Sequence, residues 1–488
     1  IFVKKFLFTY TTVHMKLAFS PNSIQDAPGQ YTRVHIVEDG QTRLVHEGGA
    51  EVLEVGSRKW ADLTQRQFIL LVRSIVITAK QQKRKKIALE LNQSPFPKLH
   101  NLPLPELGSL IAQALEMANY EFNTFKTPPK EGWPLVEEVL ICGETPKDMQ
   151  AGFLRGQRIG QEVNACRELC NTPGSDMNPK HLAIAAKKAL SGTKATVRVL
   201  GAKEMERLGM GAVLGMARGS VHEPQFIVIE YWGAAKSKKP LVLIGKGVTF
   251  DTGGLNLKPG DHMYEMHMDM SGGAAVIHAA ALAAHLGLKT NVVALIPAIE
   301  NAPASGAVHP GDILKSLSGK TIEVVNTDAE GRVILADAIT YAKRYNPSAV
   351  VDVATLTGAA LVALGTHASA FMTNEKAMNI AEFMHLAEGS GDYLWPMPLW
   401  DEYEEMVKGD FADIPNIPTT GNSRYGGVIA GGMFLWQFAK ELECQWAHID
   451  MAPRMTASSG EFLAKGAAGA PVRLLLKLIE HYAGNTAH

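Results

Sequence analysis

An alternation of apolar strand-like runs and helical segments over the C-terminal two thirds of the chain most constrains its fold. Strand patterns stand at 195–200, 225–231, 241–244, 291–299, 322–325, 349–354, 370–373 and 446–451, with helical patterns at 272–286 and 333–345 between some of them. Runs such as Leu241-Val242-Leu243-Ile244 are apolar at every position, as expected of a strand buried on both faces. The alternation predicts an α/β fold: a mostly parallel sheet with helices on both faces. In such sheets ligands bind beyond the carboxyl ends of the strands, so the residues just after each strand are where chemistry is to be sought.

Two strand exits are chemically dense. Thr321-Ile322-Glu323-Val324-Val325 runs into Asn326-Thr327-Asp328-Ala329-Glu330-Gly331-Arg332. If the extended backbone continues, Asp328, Glu330 and Arg332 share one face and point into one pocket. Converging carboxylates repel each other, and bound divalent metal is the reason for convergence that fits best. In isolation the same residues read more readily as a solvated turn after a strand. A second exit shifts the balance. Leu241–Ile244 feeds Gly245-Lys246-Gly247-Val248-Thr249-Phe250-Asp251-Thr252-Gly253-Gly254, with Lys258 seven residues after Asp251 and Asp269 eighteen after it. Together the exits offer four carboxylates, two lysines and an arginine. A lysine ligates metal only as the neutral amine, a form that nearby dications favour. Oxygen-rich donors of this kind suit Zn²⁺, Mn²⁺ or Mg²⁺.

With these motifs the chain closely resembles the leucyl (cytosol) aminopeptidase family of two-metal exopeptidases. The resemblance rests on residues 326–332 and 245–254, on Lys258 in Leu255-Asn256-Leu257-Lys258, and on Asp269-Met270-Ser271-Gly272-Gly273-Ala274. It spans about Gly156 to about Leu475, with further matches at 167–173, 209–211, 219–220 and 446–450. Val333 departs from the usual Leu, and the segment before Asp269 is unusually rich in His and Met.

The resemblance implies two divalent metal ions per subunit, Zn²⁺ or Mn²⁺, bridged by Asp251 and Glu330. Asp328 would complete one site, and Lys246 and Asp269 the other. A metal pair roughly 3–4 Å apart acidifies a water and polarises the scissile carbonyl. Holding the free α-amine of a peptide substrate at the metals would confine cleavage to the N-terminus. Lys258 is implied as the stabiliser of the oxyanion and Arg332 as the anchor of a bicarbonate ion that moves protons. Met266, Asn326, Thr355, Leu356, Gly358, Ala452 and Met455 are implied to line or adjoin the pocket for the first side chain, which favours Leu and Met. A homo-hexamer, a dimer of trimers, is implied too. His262 and His267 are rival ligands by chemistry, but the family pattern does not use them.

Competing classes are a two-metal phosphoesterase on a similar sheet and a non-catalytic or DNA-binding relative. Cleavage of peptide amides but not phosphate esters separates the first from an aminopeptidase, and intact residues at every implied ligand position argue against the second. No H-E-x-x-H pattern or Walker loop is present. The formal net charge of −1 gives no indication of nucleic-acid binding. Gln81-Gln82-Lys83-Arg84-Lys85-Lys86, the one dense basic run, reads as a solvated helix end or loop.

The 488 residues, 46% apolar and 20% charged, suit two globular domains. Residues 15–150 read as a small α/β domain, with strands at 32–37, 87–91 and 136–142 and helices at 63–79 and 107–119. A connecting helix covers 151–172, overlapping a helical pattern at 149–169, and the catalytic domain follows at 173–488. Residues 1–14 read as an upstream extension or expression scar, since Met15-Lys16-Leu17 resembles a natural start. Cys142, Cys166, Cys170 and Cys444 form no disulfide framework, and no run approaches the ~20 apolar residues of a membrane span. A cytoplasmic protein with reduced thiols is the expectation.

Overall fold

The computed structural model describes residues 15–91, 96–419 and 425–484. The expected extension, 1–14, lies outside them. The chain divides into two compact units, one reaching Asn164 and including Ser459–Ala464, the other formed by Ala165–Ser458 with the segment from Lys465 on. The division falls inside a single helix, Lys147–Asn171.

The first unit holds a six-stranded sheet of β1 (Lys16–Ser20), β2 (Thr32–Glu38), β3 (Arg43–Glu47), β4 (Ala50–Ser57), β5 (Lys86–Leu89) and β6 (Glu138–Cys142), in the order β1-β6-β5-β2-β4-β3. Pairing is parallel except between β3 and β4. Half-polar β1, β3 and β4 carry too little alternation to stand out in the sequence. The helix Gln65–Gln81 starts at a capping box, in which the Thr64 hydroxyl takes the Gln67 amide while the Gln67 side chain takes the Thr64 amide. Its apolar face joins Leu107, Ile111 and Leu115 of the helix Leu104–Asn119 in one core. The basic run between the helix Gln65–Gln81 and β5 is matched by acids: Lys83 with Glu131, Arg84 with Glu51, Lys85 with Glu137 and Lys86 with Glu138.

The second unit is built on a larger sheet. Its strands are β7 (Thr196–Leu200), β8 (Gln225–Trp232), β9 (Leu241–Gly245), β10 (Gly247–Asp251) and β11 (Asn291–Asn301). A small sheet intervenes in the chain as β12 (Ile313–Lys315) and β13 (Thr321–Glu323). The large sheet continues with β14 (Ala349–Ala354), β15 (Ser369–Thr373) and β16 (Leu394–Pro396), then β17 (Ile414–Pro415) joins the small sheet and β18 (Gln445–Asp450) the large one. The large sheet runs β16-β15-β18-β14-β9-β11-β8-β7, with β10 paired to β11. Strands β18, β14, β9, β11 and β10 are mutually parallel. Their carboxyl ends therefore open onto one rim.

Both faces are covered. Val242, Ile244, Val293, Leu295 and Val350 share a core with the helices Glu330–Ala342 and Gly427–Ala439. Alternate residues such as Leu243, Ala294 and Val351 point the other way, and the helix Ser271–His285 also packs on β9, β11 and β14. Thirteen residues of that helix are buried, on every side, so a sequence of mostly Gly and Ala is what fits. Among the described residues no helix is long and apolar enough to cross a membrane, and the cysteines form no disulfide.

Two expectations need correction. The strand expected at 322–325 does not join the large sheet; it shortens to β13, between β12 and β17. The extended backbone does not continue through the acidic motif either: Glu330 opens the helix Glu330–Ala342. A helix turns residues two apart to different sides, so the convergence of Asp328 and Glu330 comes from the turn-to-helix junction instead.

Candidate active site

The rim of the parallel strands gathers the motif residues. Lys246 follows β9, Asp251 ends β10, Thr355 follows β14, and Ala452 lies just past β18. Asp269 sits immediately before the helix Ser271–His285, and Glu330 in the first turn of the helix Glu330–Ala342.

Lys246 is buried. Its ammonium lies 2.8 Å from Asp269 Oδ2, 2.7 Å from Glu330 Oε1 and 3.0 Å from the Thr355 carbonyl oxygen. Burial pulls its pKa down, but Asp269, Glu330 and Asp251 together outweigh this and hold it above the usual lysine range. Lys258 bridges Asp251 Oδ2 at 2.8 Å and Asp328 Oδ1 at 2.5 Å, and its pKa is likewise raised by carboxylates against the pull of burial. The acids are pushed the other way from ionisation. Burial is the main cause of the raised pKa of Asp251, Asp269 and Asp328, with crowding by neighbouring carboxylates adding to it.

One carboxylate oxygen each from Asp251, Asp328 and Glu330 lies within 4.8 Å of the others. Asp269 Oδ2, Asp328 Oδ1 and Glu330 Oε1 are buried, and the partners they meet are the two lysine ammoniums, at 2.8, 2.5 and 2.7 Å. Four carboxylates face two ammoniums here, and a buried excess of like charge is costly. Hard divalent cations fit this donor set, because carboxylate oxygens are their preferred ligands and the added charge would relieve the crowding. Asp251, Asp269, Asp328, Glu330 and Lys246 are the residues placed to hold them. His262 is exposed beside Asp261, and burial lowers the pKa of the half-buried His267.

Three asparagines that sequence reasoning passed over hold the site together. Asn301, at the end of β11, donates to Asp251 Oδ1 at 2.8 Å and to the Thr327 carbonyl at 3.0 Å. Asn256 accepts the Thr327 amide at 2.8 Å. Asn416 accepts the amides of Val325 and Asn326 and donates to the Asn326 carbonyl, while its own carbonyl takes Arg332 Nη1 at 3.0 Å. The backbone amides of residues 325–328, beyond β13, thus find their partners in side chains. A polar residue closing the apolar run of β11 on the active rim was the available signal for Asn301. Gly253 adopts φ +87°, and a Cβ there would stand 2.4 Å from the Asn256 carbonyl oxygen and 2.9 Å from Asp328 Oδ1. Glycine alone suits that position.

Arg332 is buried, with its Nε lacking a hydrogen-bond partner. Burial lowers its pKa to about 10, partly offset by Glu330 and Asp450. Of the implied pocket residues, Thr355 donates to Asp269 Oδ1 at 2.6 Å, and Leu356 and Ala452 are both tied to Asp450. Gly358 opens the helix Gly358–Leu364, and Met455 follows the turn Ala452–Arg454. Met266 starts the turn before Asp269, while Asn326 Oδ1 takes the Asp328 amide and shapes the acidic turn itself.

A carboxylate and lysine cluster on the carboxyl rim of a parallel α/β sheet defines the class of site: one suited to divalent metal. The catalytic-domain pattern of the cytosol aminopeptidase family matches residues 164–476. A protein of Syntrophotalea carbinolica named "Probable cytosol aminopeptidase" is 41% identical over 92% of this chain and 90% of its own length. One of the same name from Saccharophagus degradans is 40% identical over 90% and 86%. Among solved structures the chain is similar to the bottromycin maturation enzyme BotP, with a TM-score of 0.81 and 27% identity over 93% of this chain and 99% of that one. Another BotP structure, a complex with Mn, superposes with the same TM-score. The chain belongs to the cytosol aminopeptidase family. It is a metal-dependent aminopeptidase, a hydrolase that acts on peptides.

Proposed function

We propose that this aminopeptidase releases N-terminal residues, with leucine, methionine and similar side chains preferred, using two divalent cations (Zn²⁺ or Mn²⁺) and a bicarbonate ion. The observation that carries the reading is the cluster of Asp251, Asp269, Asp328 and Glu330, four carboxylates gathered around only two ammoniums, with Asp251, Asp328 and Glu330 each placing an oxygen within 4.8 Å of the others. The manganese in a BotP structure supports the choice of ions. When bound, the cations would supply Lewis acidity toward a peptide carbonyl and its attacking water, and bicarbonate a proton acceptor.

The chain's own residues supply the rest. Asp251, Asp328, Glu330 and Asp269 would hold the ions, joined by Lys246 in the neutral form that nearby dications favour. Lys258, kept charged by its carboxylate neighbours, donates to the oxyanion as it develops. Arg332 keeps an unpartnered Nε beside an Nη1 fixed on Asn416, so its planar fork is free to hold a small planar anion. Small residues at Gly358 and Ala452, with Met266, Met455, Leu356 and Thr355, leave an apolar recess for the first side chain. A cytoplasmic homo-hexamer, a dimer of trimers, completes the reading and rests on the family resemblance.

The test is hydrolysis of a panel of amino acid amides and leucyl dipeptides beside their N-acetyl forms and simple phosphate esters, with metal content measured on the same sample. Leucine and methionine amides should be cleaved and the acetylated forms spared. Cleavage inside a capped peptide makes the protein an endopeptidase and overturns the proposal; hydrolysis of phosphate esters alone makes it a phosphoesterase.

A further inference from the structure

We infer that Asp450 is the positioning residue that sets the width of the pocket for the first side chain, an inference that rests on the aminopeptidase reading above. Asp450 ends β18, is buried, and carries no assigned part in binding metal or substrate. Its Oδ1 accepts the amides of Leu356 at 3.1 Å, Ala452 at 3.2 Å and, more weakly, Thr357 at 3.4 Å. Its Oδ2 accepts the Thr357 hydroxyl at 2.6 Å. Thr357 Oγ1 in turn accepts the Ala360 amide at 3.2 Å and caps the helix Gly358–Leu364. One carboxylate therefore clamps two loops, the exit of β14 with Thr355 to Gly358 and the exit of β18 with Ala452 to Met455.

These loops meet the substrate through Gly358 and Ala452, which lack long side chains. The width of such a recess is set by the spacing of the two backbones, and Asp450 fixes that spacing. A Cβ on Gly431 would already lie 3.1 Å from Leu356 Cδ2 and from Thr357 Cγ2, so the helix Gly427–Ala439 is packed hard against the first loop. Two acceptor oxygens suit the position because every partner is a donor. An amide in its place turns one acceptor into a donor that faces either the backbone amides or the Thr357 hydroxyl.

The test compares kcat/KM for leucine amide and alanine amide in wild type, Asp450→Asn, Thr357→Val and Thr357→Ser, with metal content and circular dichroism on each. The leucine-over-alanine ratio should fall about tenfold in Asp450→Asn, mostly through KM for leucine amide, with alanine amide little changed. Thr357→Val, which removes one donor of the clamp, should move the ratio the same way by less, and Thr357→Ser should restore it. A folded, metal-loaded Asp450→Asn with the wild-type ratio, or with equal losses on both amides, overturns the inference. If Asp450→Asn does not fold, an unchanged ratio in Thr357→Val overturns it. A metal-loaded wild type that cleaves neither amide removes the aminopeptidase reading, and this inference with it.

Discussion

Gly331 lies against the side chain of Lys246: a Cβ at Gly331 would stand 2.6 Å from Lys246 Cε and 2.7 Å from Nζ. Lys246 cannot swing away, because its ammonium is held by Asp269, Glu330 and the Thr355 carbonyl. The glycine of the acidic heptapeptide is therefore there for clearance. We expect Gly331→Ala to leave the helix intact, since alanine is the better helix former by about 1 kcal/mol, yet to displace Lys246 and lower kcat/KM by at least about tenfold. Melting curves, metal content and kinetics on one preparation check this. Full activity with a full metal complement would show that the lysine adapts.

Asp251 and Glu330 are the proposed shared ligands. Asp251→Asn and Glu330→Gln preserve shape and remove charge, so each should weaken two ion sites at once. A fall in activity of at least about 100-fold, with reduced bound metal by elemental analysis, is expected. Retained metal and near wild-type turnover in either variant would remove that residue from the ligand set.

Lys258 should behave differently, since its proposed contact forms only as charge develops on the substrate. Lys258→Ala is expected to keep its metal and lose about 10²- to 10³-fold in kcat with little change in KM. A rise in KM at constant kcat would place Lys258 in ground-state binding instead.

In the first unit, Glu116 is buried among Gln157, Gln161 and Asn164. Burial raises its pKa from 4.5 to about 7, against hydrogen bonds from the two glutamines. Because the folded pKa lies above the unfolded one, the stabilising effect is complete below about pH 4.5 and is lost as pH rises through about 7. The full swing amounts to at most about 3 kcal/mol. Glu116→Gln removes the titration. The Tm of the variant should gain on wild type at pH 8, and the gain should shrink toward pH 5. A difference independent of pH would mean that Glu116 stays ionised in the fold.

The secondary structure around the site was legible because its signals are local. Leu241–Ile244 announces a doubly buried strand by composition alone, and Lys246 and Asp251 lie where such strands exit. The resemblance of 245–254 and 326–332 to one family carried the implied ligand set. Sequence reading was weaker where a residue's partner is distant along the chain. Nothing near Asn416 or Asn301 in sequence says that they hold the backbone at 325–327.

What the sequence determined by itself is the inventory: which segments are strand or helix, and which side chains stand at the strand exits. Those properties follow from periodicity and residue type within a few positions. Tertiary structure decided the pairings. It placed residues 321–323 against 313–315 and 414–415 rather than in the large sheet, and it began a helix at Glu330 that turns the acid toward Lys246. It also brought the loops after β14 and β18 onto the single carboxylate of Asp450. Each of these outcomes depends on hydrogen bonds and burial shared between segments far apart in the chain, and local pattern carries no information about such partners.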